Sequence, residues 1–494
     1  MPLSQYFFFH PFRYTGKNLP MKKHDIIPNI RIEKLIYWGS GLATLPDGMK
    51  VIVSGGAIPE SMADLRIIRM KKSFIEAQIV RVVEPSPYER PIPDHWQVYG
   101  GCKWLRIPYE KQLAIKDEQI HEAFRHLSYS TDDVEWRKIV PSPQTEGYRN
   151  KLEFSWWKYI SDREGVYDTF RFGFHVQGQF DRIENCRYCV LADEEVNAIF
   201  RDIEIFSRYS WLPTYDPHTC EGFFRHLVVR KTLFSEIMLL WSVNTHYFWW
   251  SEENKAKIIT FNRSLQKKFP HIVSVFLLEN TGKADIVTGK TECILWKQSL
   301  TEILLGKKFE IQPLSFFQTN SRGAERLYSI VAEFCPEQGN ILLDLYAGTG
   351  TIGILLAERF QKVYSVETVM SATEDGEKNA SINAIHHMTF VNAKVEDFLS
   401  TFLERWEHAD VLIVDPPRDG LHPRACVDLI RFQAEYIIYV SCNPATLVRD
   451  LKYLLENDTY TLTHIAPVDM FPHTHHIETV VCLKRKSWQM INII

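Results

Sequence analysis

No apolar run in this chain of 494 residues approaches the roughly 18 that would carry a helix across a membrane, so no membrane partner is expected. Charge of one sign is also missing. With 57 Lys and Arg against 61 Asp and Glu the formal net charge is −4, and any nucleic-acid site must be a local patch. Cysteine is too sparse and too irregular for a secreted disulfide framework: there are nine, an odd number, and a reducing cytoplasm is the expected home. No Gly-Lys-Ser/Thr follows the main glycine-rich turn, which excludes a P-loop. The stretch Tyr6-Phe7-Phe8-Phe9-His10-Pro11-Phe12 has neither a cationic leader nor a small-residue cleavage site. Residues 1–26 therefore read as a disordered extension rather than a signal peptide, with Met21 as an alternative start. What remains is ordinary for globular chains: 45% apolar and 24% charged residues, enough for roughly two to four domains.

Residues 27–88 predict a small all-β module. Strand-length runs at 33–38, 50–53, 64–70 and 76–83 are split by Gly39, Gly41, Gly48, Gly55 and Gly56, the spacing of an OB-like barrel. Arg66, Arg69, Lys71 and Lys72 lie on one expected hairpin, either as a solvated face or as a nucleic-acid surface. Residues 89–311 open with a proline-rich joint. A helix over 108–128 follows, with Leu113, Ile115, Ile120, Phe124 and Leu127 at helical spacing, expected to pack on the last domain. A β-rich region comes next. Tyr148–Trp156 and Gly222–Lys231 interleave cations with aromatics, which suits an RNA-gripping sheet or an ordinary exposed one. From residue 312 to 494 strands alternate with helices, the pattern of a doubly wound parallel sheet.

Three strand ends in that last domain carry chemistry. Ile437-Ile438-Tyr439-Val440 is an apolar run halted at Ser441-Cys442-Asn443-Pro444, which puts the Cys442 thiol at the carboxyl edge of a sheet. Such a thiol is either a small buried hydrophobe or a nucleophile. Asp344-Leu345-Tyr346-Ala347-Gly348-Thr349-Gly350 runs into a helix, and Gly348, Gly350 and Gly353 let a ligand approach the backbone. Glu367 ends the next strand, where a ribose hydroxyl would be met. S-adenosylmethionine fits this pair, with NAD as the rival. Asp415-Pro416-Pro417-Arg418 forms a rigid corner at a third strand end. Glu478 begins an apolar strand and supplies a carboxylate for a thiol–base pair. His473, His475 and His476 lack a Cys or carboxylate at ligand spacing, so no metal is expected there.

Taken in order, Ser315-Phe316-Phe317-Gln318-Thr319-Asn320, Asp344–Gly350, Asp415–Arg418, Ser441–Thr446 and Phe471-Pro472-His473-Thr474 with Glu478 resemble the RNA uracil-C5 methyltransferase family. The resemblance covers nearly the whole chain after residue 27, and the first module resembles a TRAM domain. It is nearest to the 23S ribosomal RNA members, since transfer-RNA members typically lack that module. It implies an N-terminal OB-like TRAM barrel, a central β-rich domain and a C-terminal Rossmann-like methyltransferase domain. It further implies Cys442 as nucleophile, Glu478 as general base, and Gln318, Tyr346, Glu367 and Asp415 around S-adenosylmethionine. Phe316 or Phe317 would stack on the target base. RNA is the implied partner, with no obligate protein partner. Many relatives hold an iron–sulfur cluster on a Cys-x5-Cys-Gly-Gly-Cys run; here Pro93 and Tyr99 replace two of its cysteines, leaving Cys102 with Cys186 or Cys189, and no cluster is expected. The same residues leave two other readings, a transfer-RNA T-loop methyltransferase and a non-catalytic RNA-binding protein.

Overall fold

The computed structural model describes residues 21–96, 98–158, 170–176, 182–245, 251–404, 408–456 and 458–486. The described residues fall into two compact units, one of residues 21–92, 103–115 and 473–475, the other of the remainder.

The first unit is built on a six-stranded sheet. Its order is Ile26–Arg31, Met62–Met70, Phe74–Glu84, Lys50–Ser54, Gly41–Thr44 and Lys34–Leu35. Ala63, Leu65 and Ile67 point inward while Arg66 points out, so one face packs and the other is wet. Trp104 and Ile107 complete the core of this OB-like barrel. The chain joins it earlier than the sequence reading had it: Ile26 opens the first strand and the His24 amide donates to Ile67 O at 2.8 Å. Residues 1–20 lie outside the described residues. Arg66, Arg69, Lys71 and Lys72 are exposed on their hairpin, where Lys71 pairs with Glu76 at 3.0 Å.

The second unit holds two large sheets. The first has seven strands in the order Ile183–Asn185, Phe170–His175, Lys151–Lys158, Phe224–Lys231, Ile237–Val243, Ile272–Glu279 and Lys290–Trp296. Two helices that the sequence reading did not foresee, Glu194–Tyr209 and Glu252–Lys268, belong with it, capped by Asp193 and Ser251. Phe200 and Phe206 of the first helix and Phe261 of the second pack against the sheet aromatics Phe154 and Trp241. The interleaved aromatics are consequently core: Trp156 stacks on Phe172 at 4.5 Å and on Phe224 at 4.9 Å, all buried. Arg225 and Arg230 are buried as well, so the strand at 224–231 is not the exposed cationic face expected of it. Arg225 donates instead to the carbonyls of Asn280 and Ala284.

The second sheet positions the site. Its main strands are β1 Gly339–Leu345, β2 Phe360–Glu367, β3 Met388–Asn392, β4 Val411–Val414, β5 Tyr436–Ser441, β6 Tyr460–Val468 and β7 Glu478–Arg485. The order is β3-β2-β1-β4-β5-β7-β6, followed by the short strand Glu135–Trp136. β1 to β5 are parallel, and the central β4 and β5 are apolar and buried, as strands covered on both faces must be. β7 runs antiparallel to β5. Its first residue therefore meets the carboxyl ends of the others. The helix Tyr109–Phe124 sends Ile120 and Phe124 into the core with Leu345 and Tyr439.

Candidate active site

The strand order reverses beside β1, which separates β2 from β4 and opens a crevice at their carboxyl ends. Each residue singled out from the sequence can be placed against that crevice. Asp344 and Tyr346 sit at the end of β1, Glu367 at the end of β2, and Asp415 follows β4. Cys442 follows β5 and Glu478 begins β7. Gln318 lies on the segment before helix Ser321–Phe334, and its side chain bonds the buried Tyr328 hydroxyl, which itself feels Asp415, Asp344 and Glu478.

The turn after β1 is set by backbone geometry. Tyr346, Gly348 and Gly350 all take left-handed conformations, at φ 59°, 56° and 68°. A Cβ at Gly350 would approach Phe390 to 2.6 Å, so only glycine closes this corner. At Gly348 there is room, with Cδ1 of Phe316 4.0 Å from where its Cβ would stand. That opening leaves room for a ligand to approach the backbone. Glu367 is already engaged there: Oε2 accepts from Gly348 N at 2.9 Å, and Oε1 from Thr368 N and Val369 N at 2.7 and 2.9 Å. It holds the glycine turn against β2 as well as facing the crevice.

Cys442 and Glu478 come together through the pairing of β5 with β7. The pairing of the two strands runs to Ser441 with Thr479, one residue short of Cys442 and Glu478, and the Glu478 carboxyl acts electrostatically on the Cys442 thiol. The loop after β5 is tied to the Asp-Pro-Pro corner: Asn443 Nδ2 donates to Arg418 O at 2.9 Å and Thr446 Oγ1 to the same oxygen at 3.2 Å. This explains the Asn after the cysteine, a role that the sequence did not reveal.

Electrostatically the edge is acidic. Burial pushes the Asp344 carboxyl up to about 8, with Asp415 and Glu367 adding to it. Its Oδ2 accepts from Gly353 N at 2.8 Å while Oδ1 is buried without a hydrogen-bond partner among the described residues. Burial raises Asp415 to about 7. Burial and Asp415 hold Glu478, 6% exposed, well above the usual carboxylate range, against the pull of Arg418. The half-buried Cys442 thiol is pushed up to about 12 by burial, then by Glu478 and Asp415, with Arg418 opposing. Around this sulfur two carboxyls outweigh one guanidinium. Such an edge favours a ligand that brings its own positive charge.

The comparisons with known proteins bear on this arrangement. Residues 297–486 match the family model described as tRNA (Uracil-5-)-methyltransferase. An uncharacterized RNA methyltransferase of Clostridium tetani is 37% identical over 462 residues, 93% of this chain and 97% of that one. A second, from Porphyromonas gingivalis, is 35% identical over 93% of this chain and all of its own. The chain belongs to the RNA uracil-C5 methyltransferase family. Its fold is similar, at a TM-score of 0.70 and 28% identity, to the crystal structure of a Pyrococcus abyssi tRNA (uracil-54, C5)-methyltransferase in complex with S-adenosyl-L-homocysteine, over 92% of this chain and 100% of that one.

Within this RNA methyltransferase several supporting residues escaped the sequence reading. Lys116, fully buried, bonds Asp469 at 2.6 Å and Phe471 O at 3.1 Å, which fixes the loop leading to Glu478. Burial lowers its pKa while Asp469 opposes. Only the helical phase of Lys116 relative to Ile120 could have hinted at an inward lysine. The histidines are engaged separately: His473 Nδ1 with Gln112 at 3.0 Å, the His475 ring 6.1 Å from Trp38, and His476 Nδ1 3.5 Å from Arg418. Tyr99, in the place of a cluster cysteine, bonds Cys189 directly, with Cys102 and Cys186 in electrostatic reach. Among the described residues no three His, Cys, Asp or Glu are grouped so as to hold a metal ion.

Proposed function

We propose that this protein forms 5-methyluridine in RNA, most specifically in 23S ribosomal RNA, with Cys442 as nucleophile and Glu478 as general base. The observation that supports it is the antiparallel pairing that brings the end of β5 beside the start of β7, with the Glu478 carboxyl acting on the Cys442 thiol. Gln318, Tyr346, Glu367 and Asp415 would hold S-adenosylmethionine. The acidic edge and the open backbone at Gly348 suit a nucleoside with a cationic centre. When bound, it supplies the electrophilic methyl group that C5 of the uracil accepts.

The residues of the chain do the rest. C5 of uracil is a poor nucleophile. The Cys442 thiolate adds to C6, forming the S–C6 bond and moving the ring's electron pair onto C5 and O4. Of the charges acting on the thiol, Arg418 favours the anion and protonation of Asp415 eases the repulsion, while Glu478 has to be ionised when the C5 proton leaves. After methylation C5 still carries its proton. Glu478 takes that proton, the electron pair restores the C5–C6 double bond, and the Cys442 sulfur leaves. The target base must be drawn out of its stack to reach the crevice. Residues 27–88 would grip the RNA as a TRAM module and residues 89–311 would extend that grip, ahead of the methyltransferase domain at 312–494.

A second substrate, the T-loop uridine of transfer RNA, is favoured by the Pyrococcus abyssi structure. Its match covers 92% of this chain, so the barrel does not by itself exclude a transfer-RNA substrate. The deciding experiment maps 5-methyluridine in ribosomal and transfer RNA from cells with and without the gene, and repeats it with Cys442→Ala. Loss of one modification in 23S RNA in both strains is expected. Modification that survives Cys442→Ala refutes the nucleophile assignment.

A further inference from the structure

We propose that Arg230, Lys151 and Arg149 form a subsite for a backbone phosphate of the RNA, next to the nucleotide being methylated; this rests on the RNA reading above and adds a residue-level contact to it. These side chains line one cavity of about 160 Å³ together with Glu153, Ser315 and Phe316. A cavity of about 150 Å³ can take a benzene-sized guest, so the space suits one phosphate group or one ring. Charge decides between them.

Lys151 and Arg230 are directly opposite each other across an antiparallel pair, an arrangement that costs stability when both are cations. Arg230 is 3% exposed. Its Nη2 donates to Ser315 O, and its Nε is buried without an acceptor among the described residues. Burial alone lowers its pKa, to about 10, with no carboxylate acting on it. Burial and the two arginines depress Lys151, and Glu153 only partly offsets them. Arg149 spends its Nε on Lys151 O at 3.0 Å. Three cations thus face one exposed acid in a half-enclosed space, an unbalanced charge that an anion would relieve. At the rim Phe316 is 66% exposed and stands 4.0 Å from the Cβ position of Gly348, beside the cofactor turn. A phosphate held in the cavity would leave its base free to stack on that ring.

The experiment measures binding of a short fluorescein-labelled oligouridylate to the full-length protein at several salt concentrations. Lys151→Gln and Arg149→Gln are the variants, because the buried Arg230 is a riskier substitution for folding. Each is expected to weaken binding about tenfold, the scale of one lost charged hydrogen bond. Each should also flatten the salt dependence by about 0.7 in log–log slope, one phosphate contact on a single strand. Affinity for S-adenosylmethionine should not move. Unchanged oligouridylate affinity and slope in both variants would overturn the subsite. So would a loss confined to S-adenosylmethionine, which would make the cations a cofactor contact, or a loss confined to inorganic phosphate binding, which would make them a free-anion site. Failure of the wild-type protein to methylate uracil, with the slope changes intact, would remove the proposed reaction and leave the subsite standing.

Discussion

Replacing Glu478 with Gln should make Cys442 more reactive toward an alkylating agent even as it disables the proposed catalysis. Glu478 and Asp415 both push the thiol pKa up, and Glu478 is the larger of the two charges. Cross-strand neighbours are about 5 Å apart. One charge at that distance, in an effective dielectric of about 20, is worth about 3 kcal/mol, or about two pK units. Glutamine keeps the shape and cannot ionise, so at pH values high enough to charge Glu478 in the wild type the Cys442 pKa should fall by about that much. Below the pKa the thiolate fraction would rise about a hundredfold. A less basic thiolate is also a weaker nucleophile, with a Brønsted slope of about 0.5, so the net gain in iodoacetamide alkylation is about tenfold. The assay is pH-dependent alkylation followed by mass spectrometry of the Cys442 peptide, which separates it from the part-exposed Cys220 and Cys293. An unchanged or slower rate in Glu478→Gln would refute the electrostatic coupling between the two groups.

Lys116→Met leaves Asp469 as an unpaired buried charge and should cost about 3–5 kcal/mol in denaturant unfolding, much of it recovered when Asp469→Leu is added. Asp344 is held up to about 8, against about 3.9 when unfolded, so between those pH values the native state binds more protons and stability falls as pH rises. Asp344→Asn should therefore gain on the wild type by at least about 1.4 kcal/mol, one pK unit, between the two ends of that window, read by unfolding at each pH. The kcat/KM for methyl transfer should climb from acid toward alkaline pH, because Cys442 and Glu478 must both lose protons and both are shifted upward. Anaerobically purified protein should show no iron–sulfur absorbance, since Tyr99 bonds Cys189 where a further cysteine would be needed; a brown, iron-bearing protein would refute this.

The crevice was legible because its parts announce themselves locally. Apolar runs that stop at Gly348, Pro416 or Pro444 mark strand ends, and parallel strands gather those ends at one edge. Glu478 at the start of an apolar run was expected near that edge, but the antiparallel course of β7, in place of a parallel one, was not legible locally. Other features depend on partners far away in the chain. Nothing in the residues around Lys116 names Asp469, more than 350 positions on. Alternating cations and aromatics at 224–231 look the same whether the strand is exposed or covered, and two helices whose pattern was overlooked decide it. The acids around Cys442 converge from two separate strands, Asp415 after β4 and Glu478 at the start of β7, which no local run of residues shows.

The most direct test of the central claim is mass spectrometry of Glu478→Gln protein after incubation with S-adenosylmethionine and unmodified ribosomal RNA. Without a base the methylated uridine should stay bonded to sulfur, and the peptide containing Cys442 should carry it. An adduct on any other residue, or free 5-methyluridine formed at the wild-type rate with no adduct at all, would contradict the account.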